Sequence, residues 1–328
     1  MQPITCCLVG YGGIAEFHAE ALKQIEGVRL HTVMGRRAEP AEAFSRKHGF
    51  EKFTADYGEA LADDAVDAVV IASPSEVHHE QAAKALAAGK HVLVEIPLAL
   101  SHQGAREIAG LARENDRKVL VAHTRRFDPS GIFLRDFIAS GKAGSVYLHQ
   151  HYSLWYRHEN VGWTGYQRSW TDDVLFHHGC HLVDFSIWAI SARVRRVRGE
   201  LTPLHPETGT SMDVSLLLRY ANEAIATITL SYNARESARG NLFVCEKGTL
   251  NHTGKRVTFN GETVFETDME AEGGVLGQDR EFFDAIRENR QPSCSAEDGL
   301  YALGVLQQAY DQMVTLEDED KYRRPWGL

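Results

Sequence analysis

The stretch Ile4-Thr5-Cys6-Cys7-Leu8-Val9-Gly10-Tyr11-Gly12-Gly13-Ile14-Ala15 constrains this chain more than any other. Its first half is a short apolar run ending at Gly10, which reads as a strand buried on both faces. Its second half is G-x-G-x-x-A, and it opens into residues 15–22, whose apolar positions recur at helical spacing. Gly10 permits a tight strand-to-helix turn. Gly12 lets the backbone approach a pyrophosphate, and Ala15 lets helix and strand pack closely. The first-turn N–H groups, backed by the positive end of the helix dipole, then face the ligand. Gly10, Tyr11, Gly12, Gly13 and Ile14 are therefore expected to hold a dinucleotide. In a loop these letters would carry little weight. Between a strand and a helix they favour a dinucleotide fold over an empty βα turn.

The following 100 residues repeat the strand–helix alternation. Residues 28–34 read as a second strand. At its end, about 20 residues past the fingerprint, NAD sites commonly carry Asp or Glu for the ribose hydroxyls. Here the chain reads Gly35-Arg36-Arg37. A carboxylate repels a 2′-phosphate and a guanidinium pairs with it, so this position points to NADP, with NAD as the other possibility. Residues 66–72 form a strand ending in Ser73-Pro74, with Ser75 as an N-cap and a helix over 76–88 stopped by Gly89. Residues 91–97 form the next strand, 101–115 a helix and 119–123 the last strand. Ser73, Pro74 and His78 after one strand, and Glu95, Ile96 and Pro97 at the end of the next, are placed beside the cofactor. Such alternation predicts an α/β Rossmann fold, a doubly wound parallel sheet, over residues 1–123.

From residue 124 the pattern changes. Strands are expected at 146–152, 213–220, 224–232, 241–245 and 256–259, with a helix from about 172 to 191 and two closing helices at 278–289 and 296–316. Residues 124–328 thus read as an α+β domain with an open-faced, largely antiparallel sheet, for substrate binding and oligomerisation. An uncovered sheet face predicts a homodimer or homotetramer. With 45 acidic and 35 basic residues the formal charge is −10, which argues against nucleic acid or an anionic membrane as partner. Any anionic ligand must then be held by local arginines. Cys6, Cys7, Cys180, Cys245 and Cys294 show no paired spacing, as expected of reduced thiols in the cytoplasm.

Three segments carry a resemblance to a known family: Gly10 to Ala15, Val94-Glu95-Ile96-Pro97-Leu98-Ala99, and Gly179-Cys180-His181-Leu182-Val183-Asp184. Together they resemble the glucose–fructose oxidoreductase/inositol dehydrogenase (Gfo/Idh/MocA) family over essentially the whole chain. The family's middle motif is usually Glu-Lys-Pro, its lysine assisting proton transfer, and Ile96 stands in that place. Segments 95–99, 123–130, 168–172, 177–184 and 278–283 resemble one subgroup within the family. Its members oxidise a carboxylated ring-cleavage semialdehyde, as the cyclic hemiacetal, to a pyrone dicarboxylate with NADP. The resemblance implies the same class of reaction here. A sugar, polyol or dihydrodiol dehydrogenase is the nearest enzymatic alternative, and a non-catalytic dinucleotide sensor the alternative of another class.

On a helix His177, His181 and Asp184 stand at i, i+4 and i+7, on one face. Histidines at i, i+4 can bind zinc, but hydride transfer needs no metal and none is expected. A core histidine is the plainer reading for His178. Oxidising an alcohol removes a hydride from carbon and a proton from oxygen, and histidine suits the proton step near neutral pH. The match to the family motif Gly-x-His-x-x-Asp assigns His181 as general base. His177 is a second candidate or an orienting partner, and Asp184 either fixes the tautomer of His181 or braces the helix. Arg125, Arg126 and Arg168, with Trp170 and His178, are expected to hold an anionic substrate.

Overall fold

A computed structural model of the chain describes residues 3–162, 165, 167–171, 173–268, 273–314 and 319–322. The chain divides into two compact units. The first comprises Met1–His123, Val161–Arg168 and Gly273–Leu300, and the second Thr124–Asn160, Ser169–Glu272 and Tyr301–Leu328. A single division after residue 123 therefore leaves out two later segments that group with the first unit.

In the first unit the elements alternate as β1 (Ile4–Val9), α1 (Gly13–Leu22), β2 (Val28–Met34), α2 (Ala38–His48), β3 (Lys52–Thr54), α3 (Tyr57–Ala62), β4 (Ala68–Ile71), α4 (His78–Ala87), β5 (His91–Val94), α5 (His102–Glu114) and β6 (Val119–Val121). All six strands are parallel, in the order β3-β2-β1-β4-β5-β6. Every residue of β1, β4 and β6 is buried, as strands covered by helices on both faces must be. The order reverses between β1 and β4, and in such sheets ligands bind outside the carboxyl ends of the strands at that point. Helix α4 starts at His78 after a 3₁₀ turn over Ser75–Val77, without a side-chain cap. Ser75 is thus part of the turn, not the N-cap.

The second unit carries α6 (Pro129–Ala139), β7 (Val146–Tyr156), α7 (Gly179–Ile190), β8 (Val194–Leu201), β9 (Asp213–Tyr220), β10 (Ile225–Ser231), β11 (Asn233–Cys245), β12 (Gly248–Thr253), β13 (Arg256–Phe259) and β14 (Glu262–Glu266). Its eight strands run in the order β14-β13-β12-β11-β7-β10-β9-β8, antiparallel except for β7 with β10. Helix α6 packs on β12 to β14 and α7 on β7 and β10. Away from them, Tyr152 of β7 pairs with Thr229 of β10, and Thr227 with Leu217 of β9. Tyr152 and Leu217 are exposed, the open face the alternation of the strands implies. Two helices follow, α8 (Gly274–Arg287) and α9 (Ala296–Met313). Among the described residues no helix is long and apolar enough to cross a membrane.

Candidate active site

The nucleotide-facing part lies in the first unit. Gly10 has φ +117°, and a Cβ there would stand 2.5 Å from the Ala72 carbonyl oxygen, so only glycine allows the β1 turn to pass the end of β4. Gly12 is the N-cap of α1 in extended conformation, and a Cβ on it would meet nothing within 4 Å. The space beside the first-turn N–H groups is therefore open, and it suits the pyrophosphate of a dinucleotide. Gly35 carries the Tyr11 ring, which a Cβ would strike at 2.3 Å. Arg36 and Arg37 are exposed at the end of β2. The Tyr11 hydroxyl beside Arg37 raises its pKa.

Two expected cofactor residues are engaged differently. His78 is buried, with Nδ1 2.9 Å from the Pro97 carbonyl and Nε2 2.9 Å from that of Ser73. It fastens the loop after β4 to the loop after β5, and its ring nitrogens are taken up by backbone. Glu95 places Oε1 3.0 Å from Nε2 of His18, and its Oε2 accepts the backbone N–H of Ile96. His18 Nδ1 lies 2.8 Å from Oδ2 of Asp279, with both side chains fully buried. Burial pushes the His18 pKa down, but Asp279 and Glu95 overcome it and carry it up to about 10. At neutral pH an imidazolium thus sits between two carboxylates and ties α8 to α1 and the end of β5. Sequence reading missed this triad. Its one local signal is His18 at an apolar-face position of α1, between Ala15, Ala19 and Leu22.

The second unit holds the histidines and arginines. Their helix opens with a π turn over Val174–His178 before α7 begins, a device frequent at functional sites. Asp173 caps it, its carboxylate accepting the N–H groups of Phe176 and His177. Asp172, the expected helix start, lies outside the described residues. His177, His178 and His181 are half-buried where Leu175, Phe176, Leu182 and Val183 are buried. Asp184, on the same helix, is paired with Arg126. Arg126 donates from Nε to Oδ2 at 2.8 Å and from Nη2 to Oδ1 at 2.6 Å. The same pair removes Arg126 from the expected carboxylate clamps, because its fork already holds an internal carboxylate.

Arg125 is set differently. Its Nη1 donates to Nε2 of His151 at 3.1 Å. An arginine can only donate, so His151 accepts there and is neutral. Burial and the Arg125 charge hold the His151 pKa well below the usual value. Arg125 itself is lowered to about 10 by burial and by Arg239, and stays protonated at neutral pH. His178 lies beside Arg157, whose Nη1 donates to His178 Nδ1 and to the Tyr232 hydroxyl, each at 3.2 Å. Arg157 also stacks over Trp170 and Tyr232, at 5.8 and 5.2 Å. The structure thus gathers Trp170 and His178 around Arg157 and Tyr232, two residues the sequence reading did not single out. Burial depresses the His178 pKa, and His177, Arg157, His181 and Arg125 depress it further. Arg168 is half-buried, in a segment that groups with the first unit.

Residues 4–123 match the oxidoreductase family with an NAD-binding Rossmann fold, and residues 129–263 the C-terminal domain of bacterial oxidoreductases. The chain is 36% identical over 303 residues to 4-carboxy-2-hydroxymuconate-6-semialdehyde dehydrogenase of Sphingobium sp., covering 91% of this chain and 95% of that one. The chain belongs to the Gfo/Idh/MocA oxidoreductase family. This family member is an NAD(P)-dependent dehydrogenase. Inositol 2-dehydrogenase of Rubrobacter xylanophilus is 30% identical to it over 219 residues, 66% of this chain and 61% of that one. An oxidoreductase domain protein from Kribbella flavida superposes on the dehydrogenase with a TM-score of 0.85 at 23% identity, covering 95% and 97% of the two chains. Levoglucosan dehydrogenase in complex with NADH gives 0.84 at 20%, with the same coverage. These structures establish the fold. Ile96 is buried and apolar, so the side chain at this position cannot take up a proton.

Proposed function

We propose that the dehydrogenase oxidises a carboxylated cyclic hemiacetal of the 4-carboxy-2-hydroxymuconate-6-semialdehyde type to 2-pyrone-4,6-dicarboxylate, with NADP. The observation that carries this reading is the charge around His178. The groups that act on it most strongly, His177, Arg157, His181 and Arg125, are all basic, in a chain of formal charge −10. Such local concentration of guanidinium and imidazole against the overall charge suits a substrate bearing carboxylates.

Gly10 to Ile14, Gly35 to Arg37, Ser73, Pro74 and residues 95–97 would hold the dinucleotide, and the open space over Gly12 fits it. When bound, nicotinamide supplies the hydride acceptor. Arg125 binds and orients a substrate carboxylate, its guanidinium set on a neutral histidine. His181 takes the hydroxyl proton as the hydride leaves carbon and passes it to solvent; His177 stands next in line. Arg36 and Arg37 favour the 2′-phosphate of NADP. The open sheet face around Tyr152 and Leu217 suits a second copy of the chain.

Purified protein assayed with NADP and NAD against carboxylated hemiacetals, inositols and neutral sugars tests the reading. Cofactor reduction should be fastest with NADP and a carboxylated substrate. Faster oxidation of neutral polyols would overturn the substrate class, and no turnover of any alcohol would favour a dinucleotide sensor.

A further inference from the structure

A second constellation of ligating side chains lies outside the machinery above. His158, just beyond β7, and His205 and Glu207, in the loop 202–212 between β8 and β9, place donor atoms within 4.8 Å of one another. We propose that these three residues bind a divalent transition cation of the zinc class.

His158 is held from two sides. Its ring stacks on Tyr156 with centroids 4.5 Å apart. Its Nε2 lies 2.8 Å from Oδ1 of Asn233, whose Nδ2 donates to Asp213 at 2.7 Å. A ring nitrogen that donates to such a partner carries the proton, which leaves the lone pair of neutral His158 on Nδ1. An outer amide and carboxylate of this kind fix the tautomer of a metal-binding histidine and raise its basicity. His205 is positioned by its own loop, its N–H donating to the Thr210 carbonyl and its carbonyl accepting from Gly209. The rings of His158 and His205 meet edge-on at 4.9 Å. Glu207 follows two residues later and is exposed. Its backbone N–H donates to Nδ1 of His205 at 3.4 Å, which ties the turn to the His205 ring, and its carboxylate lies within 4.8 Å of the histidine donors.

The donor set selects the ion. Two imidazoles and one carboxylate suit zinc, nickel or copper, whereas magnesium and calcium favour all-oxygen sites. Tetrahedral zinc with bonds of about 2.0–2.2 Å needs donors about 3.4 Å apart, with water completing the shell. Rotation of the exposed Glu207 and a small shift of the loop close the remaining distance. A bound ion would then brace the end of β7, next to Arg157, against the β8–β9 loop.

Full-length protein, freed of metal by a chelator, should bind one Zn²⁺ per chain by calorimetry, and Co²⁺ should give a tetrahedral visible spectrum. Zinc should raise the thermal midpoint. His158→Ala and His205→Ala should each weaken zinc about a hundredfold, and Glu207→Gln about tenfold, with far-UV circular dichroism unchanged. If the ion persists in the His158→Ala/His205→Ala variant and is lost in His177→Ala/His181→Ala, it binds on the catalytic helix and the proposal fails. Absence of binding at micromolar zinc also overturns it.

Discussion

Arg126 and Asp184 form a closed ion pair, two parallel hydrogen bonds between side chains only 5% and 2% exposed. Their rigidity sets the start of α6 against α7, the helix carrying His181. Removing one partner leaves the other charge buried. Asp184→Asn or Arg126→Met should therefore cost about 3–5 kcal/mol of unfolding free energy by denaturant titration. Arg126→Met/Asp184→Leu should recover most of that loss. If the single variants change stability no more than surface substitutions do, the pair is not structural.

Cofactor choice should rest on Arg36 and Arg37. Arg36→Ala/Arg37→Ala should weaken NADP about ten- to hundredfold, the usual scale for charge-assisted hydrogen bonds, and leave NAD nearly unchanged. Fluorescence titration of both nucleotides reads this directly. Equal affinities in the unmodified protein would remove the assignment.

Arg125 and His181 should separate in steady-state kinetics. Arg125→Met keeps the apolar stem and removes the fork, so KM for carboxylated substrates should rise with kcat less affected. His181→Asn should lower kcat by about 10²–10⁴-fold, the contribution of a positioned general base, with NADP binding intact. The acid limb of the wild-type rate profile should disappear in this variant. Should it persist with near-normal kcat, His177 becomes the base to test.

Stability should fall at both ends of the pH range for opposite reasons. Burial holds His149 and His252 at about 4, below the usual 6.5 of the unfolded chain. Between those values the unfolded state binds more protons, so stability is complete above pH 6.5 and is lost as pH falls through 4. His18 is raised to about 10, so the folded state binds the extra proton. Its contribution is complete below pH 6.5 and is lost as pH rises through 10. Thermal midpoints across this range should fall off on both sides. His18→Gln should flatten only the alkaline side, and an unaltered alkaline limb would contradict the charged triad.

How legible these features were in the sequence follows the range of the forces involved. The β1–α1 fingerprint and the strand–helix alternation are local, so the parallel sheet could be read directly. Strand β8 was missed because only Val194, Val197 and Leu201 are apolar among arginines. It is an edge strand, where charge discourages further pairing. Helix α6 was missed despite Pro129 at its first position, which marks a start without demanding one. Arg125, Arg126, His177 and His181 stood out by type and spacing. Which arginine faces a carboxylate and which a histidine depends on partners 58 and 26 residues away, and spacing carries no record of those. The His18–Asp279 contact spans 261 residues, beyond any pattern of period two or 3.6.

The edge of the parallel sheet has a consequence for how the protein is made. Strand β6 ends the sheet, and the Val121 N–H donates to the Cys294 carbonyl at 2.9 Å, with Leu120 bridged to Ser295. On the ribosome β6 emerges long before residues 294 and 295. Throughout that interval an apolar strand edge stands open to other nascent chains. Synthesis of both larger segments of the second unit, Thr124–Asn160 and Ser169–Glu272, falls within this window, so yield in the cell should depend on translation speed and chaperone supply.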